Sequence, residues 1–394
     1  MKFRERLASS VLAIVVALVF TACASQATPT VAPAATKAPA APAAPAATAT
    51  KAPAAAATAA PAATSAPQAT PTKTASQIYA DVMAGWKAPT NKTIKVAYPG
   101  KIGFNHVGSV IAWEALKEKG FKVEVVEFTN TTAAVQGVAT DEADIGWLSV
   151  SASLAAIEKG GDLKQLLENQ GMIWRVYGKK DIADFTKLAG KPVADGVAGQ
   201  ITDFLLKRSI EKYKTQVQVI RFNDSGQRTQ ALLAGKVDAA LLAVDNIVDM
   251  EAAKPGQWRT IIDYSKEYPE LGGSYFTASG KFVQEYPDAV QAMVDAMLIL
   301  YRRAYDEPDW LLAQAKKFLP QVKDELIKQQ YQDFVVKEHL WNPNGNATVE
   351  VMNGLEQFYR EGGIIKEKIA LEKWTSLKFV DAALKKLGSY KFKS

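Results

Sequence analysis

The chain has 394 residues, with 47 lysines and arginines against 41 aspartates and glutamates, two histidines and one cysteine. Its net charge of +6 is concentrated at the start: residues 2–6 carry +2, Lys37, Lys51 and Lys73 carry +3, and +1 is left for everything from residue 74 onward. A near-neutral body argues against nucleic acid, a single cysteine excludes an internal disulfide framework, and the few histidines argue against a transition-metal site.

Lys2, Arg4 and Arg6 form a basic start, and residues 7–22 (LASSVLAIVVALVFTA) are uncharged. That run is shorter than the ~20 residues of a membrane-spanning helix. It reads as a secretory signal peptide over residues 1–22. Phe20-Thr21-Ala22-Cys23 resembles the bacterial lipoprotein box, with Phe20 where leucine is usual. The resemblance implies lipidation of Cys23 and a lipid anchor to the membrane. Residues 24–75 are almost entirely Ala, Pro, Thr and Ser. Prolines at such density prevent a helix and the composition buries no core, so residues 23–75 are expected to be an extended tether.

About 320 residues then remain, more than one comfortable core, and two lobes are expected. Thr93–Tyr98 reads as a strand, Val107–Lys119 as a helix ended by Gly120, and Lys122–Phe128 as a second strand. Thr131–Thr140 is a helix, Ala143–Leu148 a strand and Val150–Glu158 a helix. The pattern restarts with strand Lys191–Ala194, helix Thr202–Tyr213, strand Gln218–Phe222, helix Gln227–Ala234 and strand Val237–Val244. Alternation of this kind gives parallel sheets covered by helices. After Pro287 the expected elements are helices: Ala289–Tyr305, Pro308–Phe318, Lys323–Glu338, Thr348–Glu361 and Leu377–Leu387. They need a surface to cover, and the outside of the first lobe is the expected one.

The order of IKVAYPG, DEADIGWLSVSASLAAIEKGGD, LAGKPVADGVAGQITDFLL and RTQALLAGKVDAALLAVDN resembles the periplasmic substrate-binding proteins of ABC transporters of the nitrate/sulfonate/taurine and thiamine-precursor type. The strongest marks are Leu188–Val193 and Ala231–Ala240. The resemblance spans about residues 90–300 and implies an α/β, two-lobed type II periplasmic-binding-protein-like fold with C-terminal helices. Residues 76–176 with 272–394 would form lobe 1 and residues 177–271 lobe 2. The lobes would hinge near Tyr177–Lys179 and Leu271–Phe276.

Ligands of parallel α/β sheets lie beyond the carboxyl ends of the strands, where helix N-termini offer free N–H groups. This selects Tyr98, Phe104, Asn105 and His106 after the first strand, and Trp147, Ser149 and Ser151 after the third. In the second lobe it selects Gly196, Gly199, Gln200 and Thr202, then Asp224 with Ser225, then Asp245 with Asn246. Each has a plainer reading: the serines and Asp224 as helix caps, Trp147 as core, the glycines as turn formers. Tyr98, Phe104 or Trp147 could stack a planar ligand. Arg175 could clamp a ligand or form an inter-lobe salt bridge, of which the salt bridge is expected, and His339 is expected to be structural or exposed. The candidate residues hold little Arg or Lys, which suits a planar or amphipathic organic ligand better than a multiply charged anion.

The expected function is capture of a small sulfonate, carboxylate or heteroaromatic vitamin precursor by an extracytoplasmic lipoprotein of an ABC importer. It would be on the periplasmic side if the cell has two membranes. Expected partners are the ligand, a membrane permease and its ATPase. No cofactor, metal or catalytic residue is expected, and the expected state is a monomer. Three other readings stay open: a sensor that docks a signalling receptor, an enzyme resembling the fungal pyrimidine synthase of thiamine synthesis, and a purely structural envelope protein. The enzyme reading is disfavoured because the cysteine-rich motif of that enzyme is missing and the chain carries an export signal.

Overall fold

A computed structural model describes residues 73–392, apart from Lys101 and Glu270. The expected signal peptide, Cys23 and all but the end of the tether lie outside the described residues. The last tether residues already belong to the fold. Thr74 caps helix α1 (Ala75–Ala84), exchanging hydrogen bonds with Gln77 in a capping box.

The first α/β unit runs β1 (Thr93–Pro99), α2 (Val107–Glu118), β2 (Lys122–Phe128), α3 (Thr131–Ala139), β3 (Ile145–Leu148), α4 (Val150–Glu158) and β4 (Leu163–Gln170). The second runs β5 (Trp174–Lys179), β6 (Pro192–Asp195), α5 (Ile201–Tyr213), β7 (Gln218–Arg221), α6 (Ser225–Leu233), β8 (Ala239–Ala243), α7 (Val244–Ala253), β9 (Trp258–Asp263) and α8 (Tyr264–Glu267). The chain then returns to the first unit as β10 (Ser274–Ser279). The helices α9 (Gly280–Glu285), α10 (Pro287–Asp306), α11 (Pro308–Phe318), α12 (Asp324–Gln330), α13 (Val349–Glu361), α14 (Leu371–Trp374) and α15 (Lys378–Leu387) follow, with a π-helical continuation of α12 over Tyr331–Lys337.

Two five-stranded sheets result, ordered β2-β1-β3-β10-β4 and β7-β6-β8-β5-β9. In each, the first three strands are parallel, as the alternating pattern predicts. The sheets are mixed, however. Strand β10 runs antiparallel to β3 and β4, and β5 antiparallel to β8 and β9. These two strands are the first laid down after each passage between the lobes.

The first passage is Gly171–Ile173 and the second Tyr268–Gly273. Tyr177–Lys179, expected at the first passage, lie inside β5, and Ser274–Phe276 lie inside β10. The passages touch: Gly273 N donates to Gln170 O at 2.8 Å, and a Cβ at 273 would stand 2.2 Å from the Gly171 carbonyl oxygen. Glycine is therefore required where the two connections cross. Another correction concerns Val237–Val244, where only Ala239–Ala243 is strand and Val244 already begins α7.

The C-terminal helices cover the first lobe as expected. Helix α10 is buried over most of its length and packs against α2. Gly108 lets the two approach, since a Cβ there would lie 3.1 Å from Tyr301 and 3.2 Å from Trp341. Trp113, Tyr301 and Trp341 are fully buried in this core; side chains of this size each contribute about 3 kcal/mol when buried. The layer fixes the strand ends that face the second lobe.

Candidate functional site

A cavity of about 290 Å³ lies between the two sheets, lined from both lobes and from both passages. The parallel strands β1, β2, β3, β6, β7 and β8 all end toward it, and the turns after them supply most of its wall. Helices α3, α4, α5, α6 and α7 begin there, so five helix N-termini converge on one space. Their free N–H groups and partial positive charge favour an anionic group.

The local sequence explains the helix starts. Asn130 caps α3 by accepting from Ala133 N at 2.9 Å. Ser149 caps α4 through Ala152 N at 3.3 Å, and Asp224 caps α6 through Gln227 N at 2.8 Å. Ser149 and Asp224 therefore combine both readings: they cap, and they line the cavity.

Asn105, His106, Trp147, Ser149, Gln200, Thr202, Asp224 and Asp245 line the cavity. Four other candidate residues do not. Tyr98 is fully buried behind the wall, its hydroxyl bound to Ser109 Oγ at 2.5 Å and accepting from Trp113 Nε1 at 2.8 Å. Phe104 packs between Phe334 and Trp341, with ring centroids 5.8 and 6.2 Å away. Neither can stack a ligand from there. Ser151 is fully buried, with its Oγ 3.4 Å from Ser149 Oγ. Gly199, at φ +83°, turns its N–H back onto Asp203 Oδ2 at 2.8 Å, and Gly196 N donates to Asp195 Oδ1 at 2.6 Å. The backbone donors expected to meet an anion in this loop are thus already satisfied. Arg221 locks the loop further by bridging Asp195 (2.7 Å) and Asp203 (2.5 Å).

His106 and Trp147 form one wall, ring centroids 4.5 Å apart and steeply inclined, with Tyr98 behind them. Burial holds the His106 imidazole far below its usual range, at about 3, so the ring is neutral. Its Nδ1 accepts from Gly103 N at 3.0 Å. The one ring proton therefore sits on Nε2, which leaves a fixed neutral donor.

The sequence reading missed the cation of this site. Arg228 lines the cavity with only 2% of its surface exposed. Its Nε donates to Leu241 O at 2.7 Å, and its guanidinium lies 5.6 Å from the Trp174 ring centroid. Among the described residues no carboxylate comes within ion-pair distance of it. Burial lowers its pKa to about 10, against the pull of Asp195, Asp224 and Asp245; the group stays charged at neutral pH. A signal for it existed in the sequence. Arg228 stands one helical turn after Asp224 and Ser225, on the face already assigned to the cleft. Thr129, Thr131, Gln170, Trp174 and Asn223 also line the cavity and were not singled out.

Behind the cavity, Arg175 pairs with Asp263 at 2.8 Å and with Glu338 at 2.7 Å. Asp263 belongs to the second sheet, whereas Glu338 follows the π-helical turn on the first lobe. The expected inter-lobe salt bridge is present. His339 is exposed, at φ +47°, with its ring 4.3 Å from that of Phe392. A larger groove of about 580 Å³ runs outside the first lobe between α1, α10 and α15, where Lys386 pairs with Asp295 at 2.8 Å and Lys73 with Asp81 at 2.5 Å.

Residues 104–310, just over half of the chain, match the family model described as NMT1/THI5 like. The chain belongs to the NMT1/THI5-like family. Its matched span holds most of both sheets, both passages and every residue lining the cavity except Pro99 and Gly100. No curated protein sequence matches the chain. Solved structures do. The periplasmic aliphatic sulphonate binding protein SsuA of Escherichia coli is 15% identical, with a TM-score of 0.58, covering 73% of this chain and 92% of that one. The alkanesulfonate-binding protein SsuA of Xanthomonas axonopodis pv. citri, bound to MOPS, is 13% identical, with a TM-score of 0.58, covering 74% and 100%. The ligand-binding component of an ABC-type import system from Staphylococcus aureus, with zinc bound, is 12% identical, with a TM-score of 0.61, covering 74% and 99%. This NMT1/THI5-like chain therefore has the periplasmic-binding-protein fold.

Proposed function

We propose that this protein is an extracytoplasmic solute-binding lipoprotein of an ABC importer, holding a small organic ligand between its lobes and presenting it to a permease and its ATPase. One observation carries the reading: a single small cavity wall is assembled from both lobes, at the strand ends where five helices start. Neither lobe alone encloses the space, so a ligand there gains contacts only when both are in place. The basic start, the short apolar run and Cys23 support export and a lipid anchor, with residues 23–75 as the tether. The sulfonate-binding proteins of like fold support a ligand with a sulfonate. The two lobes divide at the glycine-containing passages Gly171–Ile173 and Tyr268–Gly273, not after residue 176 as expected from the sequence, because that position lies within β5 of the second sheet.

The cavity volume equals that of roughly ten water molecules, which suits a compact solute. The role is binding without chemistry, by a monomer without cofactor. Trp147 and His106 give one side, and Ser149, Gln200, Thr202, Asp224 and Asp245 supply polar groups. Closure shifts with ligand only by the difference in affinity between open and closed forms.

The test is a thermal-shift screen of the purified protein against sulfonates, carboxylates and heteroaromatic vitamin precursors. A ligand at one hundred times its dissociation constant adds about 2.7 kcal/mol of stability. Such a ligand should also slow hydrogen exchange at Gly171–Ile173 and Tyr268–Gly273. A folded protein that responds to no compound in the screen would overturn the reading.

A further inference from the structure

Behind the cleft lies a second space that solute binding does not use. It is a crevice of about 560 Å³, a volume typical of small-molecule sites. Its floor is apolar and comes from helix α7 of the second lobe, through Val244, Ile247, Val248 and Ala252. The facing wall is the π-helical segment of the first lobe, which contributes Asp333 and Lys337, with Glu338 directly after it. Such segments are rare and occur frequently at functional sites.

The charges of this crevice do not balance. Arg175 is held by Asp263 and Glu338, and Lys337 by Asp333 at 2.7 Å. Lys266, outside the lining, comes within 3.6 Å of Asp263. Glu251 is left over. The Tyr177 hydroxyl and Gly256 N donate to its two oxygens, the latter at 2.9 Å; both are neutral groups, and among the described residues no cation comes within ion-pair distance. Glu251 follows Ile247 by four residues and Val248 by three, so the carboxylate and the apolar floor share one face of α7.

We propose that this crevice is a second binding site, which takes an organic amine: the ammonium group meets Glu251, and the apolar body lies along Val248 and Ala252. An anion of the same shape would enter among four carboxylates and is rejected. The site goes beyond the solute-binding reading, and helix α7 links the two. The start of α7 puts Asp245 and Asn246 in the cleft but Val244, Ile247 and Val248 in the crevice. Strand β5 divides in the same way, with Trp174 toward the cleft and Arg175 toward the crevice. A void of about 10 Å³ shares Asp245 with the one and Val244 with the other. An amine in the crevice touches both lobes, so it braces them in this arrangement. Whatever factor it applies to solute affinity, solute applies to its own.

The test is calorimetric titration of the purified protein with 4-phenylbutylammonium against 4-phenylbutyrate, which share an apolar body and differ in charge. The amine should bind ten-fold tighter or better. It should slow hydrogen exchange over Val244–Ala253 and Tyr331–Lys337, and also at the passage Gly171–Ile173. Ala252→Trp, at an exposed position, should fill the crevice and weaken the amine ten-fold or more. Glu251→Gln keeps an acceptor for Tyr177, removes the charge, and should cut the advantage of the amine to less than three-fold. Circular dichroism checks that both variants fold, and Glu251→Gln carries the test if Ala252→Trp does not. A smaller advantage for the amine in the unaltered protein, no binding of either compound, or an advantage that survives Glu251→Gln overturns the site. Binding that leaves exchange at Gly171–Ile173 unchanged overturns the link between the lobes. The solute reading is judged separately: a failed thermal-shift screen with amine binding intact removes that reading and leaves this site.

Discussion

Gly273→Ala probes the point where the two passages cross. The added methyl would stand 2.2 Å from the Gly171 carbonyl oxygen, where ordinary contact starts at about 3.4 Å. The obstacle is backbone, so no side-chain rotation relieves it, and the passages must part by about 1 Å. That separation strains the Gly273 N to Gln170 O hydrogen bond, now 2.8 Å. Overpacking of this kind costs about 1–3 kcal/mol, and the hydrogen bond about 1 kcal/mol more. Gly273 is not in the left-handed region, so alanine recovers up to about 1 kcal/mol from the unfolded chain. The expected net loss is about 2 kcal/mol, read from urea unfolding by linear extrapolation. Gly354→Ala is the control: Gly354 is exposed within α13, a Cβ there meets nothing, and alanine should stabilise by about 1 kcal/mol. If Gly273→Ala proves as stable as the unaltered protein, the passages do not touch as described.

Glu338→Gln removes the inter-lobe half of the Arg175 pairing and leaves Asp263 in place. It should cost about 1 kcal/mol and speed hydrogen exchange at Gly171–Ile173; unchanged exchange would mean the bridge does not hold the lobes. Asp245→Asn addresses pH. Burial raises the Asp245 pKa to about 6 from an ordinary 3.8, so its contribution to stability is present in full below 3.8 and is lost as pH rises through 6. The asparagine variant should match the unaltered protein near pH 4 and exceed it by at most about 3 kcal/mol at pH 7. A difference that stays flat across that interval in denaturant titrations would show that Asp245 is well solvated. Phe104→Ala should destabilise by about 3–5 kcal/mol while leaving the affinity of the folded protein for solute unchanged; lost affinity with intact stability would return Phe104 to the ligand.

The parallel parts of both sheets were legible because their strands are apolar and their helices begin and end on recognisable residues. Ser149 and Asp224 were readable both as caps and as cleft residues, and the structure shows one atom doing the first while the residue lines the second. Strand β4 was invisible. Its residues Gln165, Glu168, Asn169 and Gln170 are buried although polar, so hydrophobic periodicity has nothing to register. Their side-chain oxygens are met by partners distant in the chain, since Thr277 Oγ1 donates to Gln165 Oε1 at 3.0 Å and Ser274 Oγ to Asn169 Oδ1 at 2.5 Å, whereas Gln165 Nε2 and Asn169 Nδ2 have no such partner. Burial pushes Glu168 up to about 8, so it enters this core as a neutral acid.

The sequence by itself determined the alternation of strands and helices, the turns that face the cleft, the bridging role of Arg175 and the covering role of the late helices, because these follow from local periodicity, capping and chain order. Only the tertiary structure decided that Tyr98 and Phe104 are core, that Gly199 spends its N–H on Asp203, and that Arg228 stands in the cleft without an ion pair among the described residues. Those outcomes depend on which distant group reaches each atom first, and spacing along the chain carries no record of that competition.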